Sequence, residues 1–520
     1  MPDESSTLAA VSSATATLAE LVVVWPGARI VGDPTTRVSG IGYDSRLVRP
    51  GDVYAALPGA DADGHAFVPA AVRNGAAAIV AERLSLVDVP HLLVSDSRAA
   101  LAPIAAAFYG CPSHELGVIG VTGTDGKTTT SYLIDGMLRR AGFVTGMVGT
   151  VSVRIADQVL EHESRQTTPE SADLQRYLRR MVDEGADWAV LEATSHGLDM
   201  HRLDAVRFAI GAVTNITHEH LEHHKTIQAY RRAKAVLFER VAANRGVAIV
   251  NADDPGAMDV APYAAGASRL IRYSCEGREA DVRAERIESD TWGSRFDLVL
   301  DGLLTPASIP MIGGFNVANA VCAAAVGLAA GLSPKAITDG LAHAPEVPGR
   351  MARVDVGQPF DVVVDYAHTP ESLSKVLALL RRLHPTGRLI AVFGSAGERD
   401  VEKRALQGRV AAERADYSVF TTEDPRFEDP EAIIAQIAAG ATAIGRKEGE
   451  DFARVVDRRA ALRHAFSVAQ PGDCVLLAGK GHEGSIIWGR RKEPWNESEA
   501  ARELLAELGF GGRQDISLEH

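Results

Sequence analysis

Gly120-Val-Thr-Gly-Thr-Asp-Gly-Lys-Thr-Thr-Thr130 decides the fold. The run before it, Leu116-Gly-Val-Ile-Gly-Val121, reads as a buried strand, and Thr129-Thr-Ser-Tyr-Leu-Ile-Asp-Gly-Met-Leu138 carries apolar side chains at helical spacing. A strand, a glycine turn and a Lys-Thr pair opening a helix make an anion cradle. Backbone N–H groups and the helix N-terminus face a phosphate, Lys127 neutralises its oxygens, and Thr128 can hold Mg²⁺. The strict P-loop pattern asks for glycine at the position of Val121; the glycines here stand at 120, 123 and 126, a variant cradle. Gly123, Thr124, Asp125, Gly126, Lys127, Thr128 and Thr129 therefore form the candidate loop for ATP or a similar triphosphate, against the bland alternative of a glycine-rich turn with no ligand.

Outward from that loop, 520 residues suit about three domains, each large enough for its own core. A net charge of −14 argues against general affinity for nucleic acid or an anionic membrane, so any phosphate site must be local. Cys111, Cys275, Cys322 and Cys474 lie far apart with no Cys-x-x-Cys pair, which suits a reducing cytosol and suggests neither a disulfide framework nor a zinc knuckle. There is no apolar run of about 18 residues, and Met1-Pro-Asp-Glu-Ser-Ser lacks the basic start of a signal peptide. A cytoplasmic protein is expected, acting as a monomer on small molecules. Leu518-Glu-His520 reads as a tag remnant.

Two Pro/Gly-bearing seams, at Phe108–Gly117 and Ala344–Gly349, divide the chain into 1–112, 113–346 and 347–517, with 518–520 the remnant. The second and third regions alternate helical segments with short β-branched runs such as Trp188–Glu192, Val247–Asn251, Phe360–Asp365, Leu389–Phe393 and Asp473–Ala478. Such runs predict parallel sheets of the α/β class, which bind ligands at the C-terminal ends of their strands.

Several residues at those ends could carry chemistry. Glu192 closes a strand and is placed to bind a nucleotide's Mg²⁺, or is simply a solvated strand end. Thr214-Asn-Ile-Thr-His-Glu-His-Leu-Glu-His-His224 resembles a metal site but contains no His-Glu-x-x-His, and its histidines could as well be surface residues. Lys234 sits on a helix beside apolar neighbours, and pattern alone sends its ammonium to solvent. Asp424-Pro-Arg426 and Gly479-Lys-Gly-His-Glu483 follow two strands. An Arg fork suits a carboxylate and Glu483 an ammonium, so together they could hold an amino acid, or each could be an ordinary charged loop.

Taken in order, these pieces resemble the Mur ligases over nearly the whole chain, within them the UDP-N-acetylmuramoyl-tripeptide synthetase branch (MurE). The resemblance rests on Asp44-Ser-Arg46 with Pro50-Gly-Asp52, the P-loop variant, Thr167-Thr-Pro169, Glu192-Ala-Thr-Ser-His-Gly197, Thr214-Asn215 with His220, Lys234, Phe315-Asn316 with Asn319, Val347-Pro-Gly-Arg350, Asp365-Tyr-Ala-His-Thr-Pro370, Asp424-Pro-Arg426 and Gly479-Lys-Gly-His-Glu483. It implies three domains: a small N-terminal α/β domain for the UDP-substrate, a central P-loop ATPase-like parallel-sheet domain and a C-terminal Rossmann-like domain for the amino acid. It further implies ATP-dependent addition of a diamino acid to the D-glutamate carboxylate of UDP-MurNAc-L-Ala-D-Glu in peptidoglycan synthesis.

Residue by residue, the resemblance implies Lys127 and Thr128 at the phosphates and Mg²⁺, with Glu192 and His220 as further metal ligands and Lys234 carrying a carbamate that supports the metal. Asn316 would contact adenine, Asp365 the ribose and Arg350 the phosphates. Thr167, Thr168, Ser195 and Arg202 would bind the muramoyl dipeptide, and Ser45 the uridine end. Arg399, Asp424, Arg426, Gly479 and Glu483 would bind the amino acid, and closure of the last domain would bring amine to acyl phosphate.

Two positions depart from the family pattern. Diaminopimelate-adding members carry Asp-Asn-Pro-Arg, whereas this chain reads Glu423-Asp424-Pro-Arg426, and the added charge tilts the expectation toward lysine or ornithine, whose distal ends are bare ammonium groups. Retained Arg426, Arg399 and Glu483 keep meso-diaminopimelate close behind. Thr194 replaces the usual Ser and keeps the hydroxyl. The rivals are another Mur-type or folylpolyglutamate-type ligase, an ATPase or kinase using the same cradle, and a silent nucleotide-binding scaffold; the last should have lost Lys127, Glu192, His220 or Lys234, and all four are present.

Overall fold

The computed structural model describes residues 15–59, 62–160, 166–217, 221–290 and 292–510. His220 and the residues 518–520 lie outside them. The chain groups into two compact units. One comprises the residues up to Glu288 with Arg295–Ile309 and Gly314–Pro345; the other comprises Ser289–Ser294, Pro310–Gly313 and the chain from Glu346 onward.

Within the first unit, a five-stranded sheet comes first. Gly40–Gly42, Asp52–Ala55, Ala78–Ala81 and His91–Leu93 pair in parallel, and Arg29–Val31 adds an antiparallel edge. Period-two alternation gives it a core on each face, with Val53 and Ala55 on one side and Tyr54 and Ala56 on the other. A larger sheet follows, in which Thr145–Val148, Trp188–Glu192, Gly117–Thr122, Ile210–Val213, Val247–Asn251 and Arg269–Ser274 run parallel in that spatial order. The P-loop strand is thus central, and the chain crosses it, going first to one side and then to the other. That reversal opens a crevice at the C-terminal strand ends.

The covering helices follow from their sequences. Ser171–Asp183 buries Leu174, Tyr177, Leu178 and Met181, a three-four spacing that gives one apolar stripe against the sheet. Gly314–Ala329 is buried on nearly every side and packs on the P-loop helix Lys127–Arg140.

The second unit carries a six-stranded sheet. Asp361–Asp365, Cys474–Ala478, Leu389–Phe393, Tyr417–Phe420 and Phe452–Arg454 are parallel in that order, and Ala352–Arg353 is an antiparallel edge. Leu389, Ala391 and Phe393 enter one core while Ile390 and Val392 enter the other, so helices on both faces bury both sides of the sheet. The α/β class and the parallel sheets are those the sequence predicts. Among the described residues no helix is long and apolar enough to cross a membrane.

Candidate functional site

The cradle is built on two glycines that no other residue could replace without movement. Gly126 caps the helix Lys127–Arg140 at φ +82°, and a Cβ there would stand 2.2 Å from Asn319 Oδ1. Gly123, at φ +150°, would bring a Cβ to 1.8 Å from Thr214 Oγ1. The Thr214-Asn215 pair pins the loop from the adjoining strand. Thr214 Oγ1 donates to Asp125 O (2.6 Å), Thr124 N to Asn215 O (2.7 Å) and Asp125 N to Asn215 Oδ1 (3.0 Å). Asn251, ending the next strand, donates to Thr214 O at 2.7 Å. These bonds fix the loop backbone ahead of the helix N-terminus, and a rigid backbone there is what a preorganised anion site needs.

Lys127 folds over the loop, its Nζ donating to Gly123 O (2.9 Å) and Thr124 O (2.8 Å). Lys234 reaches the same carbonyl from the helix Ile227–Ala243, with Nζ 2.6 Å from Gly123 O and 4.6 Å from the centre of the Tyr230 ring. Only 1 % of Lys234 is exposed, so the pattern-based expectation of a solvated ammonium is wrong. The helix turns this face onto the sheet, burying Tyr230, Leu237 and Phe238 with it. Tyr230 OH lies 3.1 Å from Thr124 Oγ1 and completes that wall.

Glu192 is buried, which excludes the solvated alternative. Its carboxylate accepts from Thr128 Oγ1 (3.0 Å), Thr150 N (2.9 Å) and Thr150 Oγ1 (2.8 Å). A threonine hydroxyl and a carboxylate side by side at the mouth of a phosphate loop are oxygen donors of the kind a hard cation takes, so the donor set fits Mg²⁺. Thr129 is buried behind them.

Next to Glu192 lies a second polar group. Thr168 Oγ1 donates to Glu192 O at 2.7 Å and accepts from Thr194 N at 3.1 Å, and Thr167 Oγ1 is 3.0 Å from Thr150 Oγ1. Thr194 caps the short helix that opens with Ser195. Buried Arg202 donates to Thr168 O (2.9 Å) and pairs with Glu170 (3.0 Å), which also meets Arg98 at 3.3 Å. Thr167, Thr168, Ser195 and Arg202 are therefore one neighbourhood, with Arg98 and Glu170 as members the sequence reading missed. Ser45 is buried farther back, its carbonyl accepting from Asn74 Nδ2 at 2.7 Å, and Asp44 and Arg46 form a paired fork beside it. Asn316 is buried on the helix Gly314–Ala329, one turn from the Asn319 that meets Gly126.

The second unit holds the remaining candidates at its strand ends. Asp365 accepts from Met351 N (2.9 Å) and Ala367 N (2.8 Å); burial pushes its carboxyl above the usual range, opposed by Arg350. Arg350 lies over the Tyr366 ring at 4.8 Å.

Asp424 Oδ1 accepts from the fully buried Lys480 Nζ (2.9 Å) and from Ile487 N (2.9 Å). Lys480 also bonds Glu483 Oε2 at 2.5 Å. Glu423 and Glu483 both titrate above the usual carboxylate range, chiefly through burial, with Lys480 opposing and the other carboxylates adding to the rise. Arg426 is half-buried at φ +54°, tied by its N–H to Ile487 O (2.9 Å), and Arg399 is exposed on its loop. Gly479 N donates to Asp365 O at 3.2 Å.

Arg458 and Lys480 were not assigned a role from sequence. Arg458 lies buried against Glu497 (2.7 and 2.8 Å) and donates to Thr422 O (3.0 Å) and Ala478 O (2.9 Å), so it ties together the ends of the strands that launch the Asp424 and Lys480 loops.

A glycine cradle at a strand crossing, an acidic strand end beside its Lys-Thr pair, and a further α/β unit with a charged loop cluster define a nucleotide-dependent enzyme of the P-loop type. Comparison with known proteins narrows the class. The Mur ligase middle domain matches residues 121–327, the glutamate ligase domain of Mur ligases 349–481, and the Mur ligase family catalytic domain 37–109. A UDP-N-acetylmuramyl-tripeptide synthetase of Roseiflexus sp. is 46% identical over 91% of this chain and 96% of its own length. A UDP-N-acetylmuramoyl-L-alanyl-D-glutamate--2,6-diaminopimelate ligase of Streptomyces coelicolor is 43% identical over 91% of this chain and 93% of its own. Among solved structures, a ligase of that same name superposes with a TM-score of 0.66 at 30% identity, over 95% of this chain and 99% of the other. The chain belongs to the Mur ligase family and is an ATP-dependent ligase.

Proposed function

We propose that the protein adds a diamino acid to the D-glutamate carboxylate of UDP-N-acetylmuramoyl-L-alanyl-D-glutamate in cytoplasmic peptidoglycan precursor synthesis, with L-lysine or L-ornithine ahead of meso-diaminopimelate. The observation that carries the reading is the junction at Glu192. Its carboxylate bonds the P-loop Thr128 while its own backbone carbonyl accepts from Thr168, so phosphate-side and acceptor-side groups share one residue.

A carboxylate resists amine attack until one of its oxygens becomes a leaving group. Transfer of the γ-phosphoryl makes an acyl phosphate; the amine then attacks the carbonyl carbon and phosphate leaves with the bridging oxygen. Lys127 and the loop N–H groups would hold the triphosphate, with Asn316 at adenine, Asp365 at ribose and Arg350 at the phosphates. Thr128, Glu192, His220 and a carbamate on Lys234 would hold Mg²⁺, which supplies charge neutralisation on the transferring group. Thr167, Thr168, Ser195 and Arg202 would orient the dipeptide, and Ser45 the uridine end. Residues 1–112, 113–346 and 347–517 would serve as the muramoyl, nucleotide and amino-acid domains.

The preference for lysine or ornithine rests on the loop cluster. Asp424 and Glu483 both bond the one ammonium of Lys480, while Glu423 beside them is balanced also by Lys403 and Arg458; two carboxylates on one cation suit a second amine better than a second carboxylate. Arg399 and Arg426 keep diaminopimelate, for which the Streptomyces relative is named, as the competing substrate. Phosphate release from ATP with the muramoyl dipeptide, compared across meso-diaminopimelate, L-lysine and L-ornithine, tests the reading. Turnover should require both substrates and be fastest with an amine-ended acid. Turnover confined to diaminopimelate would reverse the preference, and ATP hydrolysis indifferent to both substrates would favour the bare ATPase.

A further inference from the structure

A second group of metal-ligating side chains meets the cradle wall at Tyr230, against which His224 packs with ring centroids 5.4 Å apart. The helix Ser195–Asp199 ends on Asp199, and the helix Leu221–His224 ends on His223 and His224. One ligand atom from each of these three residues lies within 4.8 Å of the other two. His223 Nε2 and Asp199 Oδ2 are already 2.9 Å apart. His196 packs against both imidazoles, tilted on His223 with ring centroids 4.2 Å apart and edge-on to His224 at 5.5 Å. His224 is buried against Tyr230, while 33 % of the His223 side chain and 48 % of the Asp199 side chain are open to solvent.

We propose that Asp199, His223 and His224 form a binding site for one divalent transition-metal ion of the zinc type, distinct from the position beside Thr128 and Glu192. Two imidazoles and one carboxylate are the donors that borderline ions take. Mg²⁺ prefers an octahedron of oxygens and parts reluctantly with its waters, so the magnesium needed for ATP leaves this site to other ions. Ligand atoms around a tetrahedral zinc at about 2.0–2.1 Å stand roughly 3.3 Å apart. The present spacing closes to that by side-chain rotation of Asp199 and His223, both at the surface. Solvent completes the shell, and the His196 ring restrains the two imidazoles in place of a ligand. An ion here takes the place of the hydrogen bond between His223 Nε2 and Asp199 Oδ2. It also ties the helix that begins one residue after His220 to the helix that begins at Ser195, giving transition metals a handle on the neighbouring site.

The test is titration of the metal-stripped full chain with Zn²⁺ by calorimetry and with Co²⁺ by visible absorption, in excess Mg²⁺. One equivalent should bind, with a cobalt spectrum of nitrogen and oxygen ligation. His223→Gln and Asp199→Asn should each weaken binding at least about tenfold, and Lys234→Ala should leave it unchanged. Both substituted positions are at the surface, and unaltered thermal unfolding without metal would establish that those variants remain folded. Absence of stoichiometric uptake, or equal affinity in His223→Gln, overturns the proposal. Loss of binding in Lys234→Ala does so too, by assigning the ion to the phosphate-side position.

Discussion

The ammonium groups of Lys127 and Lys234 converge on one acceptor, the carbonyl oxygen of Gly123, at 2.9 and 2.6 Å. Two cations sharing one oxygen repel by roughly 3 kcal/mol at an effective dielectric near 20. A carbamate on Lys234 would turn that repulsion into attraction and give the phosphate loop an anionic wall.

Lys234→Ala and His220→Ala are therefore each expected to abolish ligation, a loss of at least about a thousandfold or 4 kcal/mol in transition-state binding, with the fold intact by circular dichroism. Near-normal phosphate release in either variant would remove the metal site from the account. Supplying ¹³C-bicarbonate should give a carbamate carbon resonance in the wild type that is absent from Lys234→Ala.

Asp424→Asn removes one negative charge from the cluster while leaving the side-chain oxygen that can accept from Ile487 N. The ratio of kcat/KM for lysine over meso-diaminopimelate should fall by about tenfold, equivalent to about 1.4 kcal/mol. An unchanged ratio would shift the decision to Arg426 and Arg399.

Glu483 must be ionised to hold an ammonium, and burial raises its pKa while Lys480 opposes the rise. A raised carboxyl pKa means the anion is complete only above that higher value and is lost as pH falls through it. Amino-acid KM should therefore climb on acidification at a higher pH than an exposed glutamate would allow. Glu483→Gln should give a high, flat KM across the same range.

Arg458→Met leaves the Glu497 carboxylate buried, with the Trp495 indole N–H still donating to it. A cost of about 3–5 kcal/mol is expected in denaturant unfolding, most of it regained in Arg458→Met/Glu497→Leu. A single variant as stable as the wild type would show that the pair does not hold the strand ends together.

The cradle was legible in sequence because its geometry is local: Gly123, Gly126, Lys127 and Thr128 fall within one turn and the start of one helix. Strand placement was legible for the same reason, since Val247–Asn251 and Leu389–Phe393 are short, nearly unbroken apolar runs whose reading needs no distant partner. Lys234 was misread from pattern because its partner, Gly123, is 111 residues away, and nothing in a helical repeat says which face meets a distant carbonyl. Asp424 was read as a charge open to substrate, whereas 56 residues farther on Lys480 supplies a buried partner. Arg458 escaped notice because an arginine at a helix start looks solvated until Glu497 is folded against it.

The most direct measurement follows oxygen. With ¹⁸O in the D-glutamate side-chain carboxylate of the muramoyl dipeptide, one labelled oxygen should appear in the released phosphate for each tripeptide formed, because the acyl phosphate leaves with its bridging atom. Tripeptide formed with unlabelled phosphate would mean that no acyl phosphate lies on the path, and the assigned roles of Lys127, Glu192 and Lys234 would fall with it.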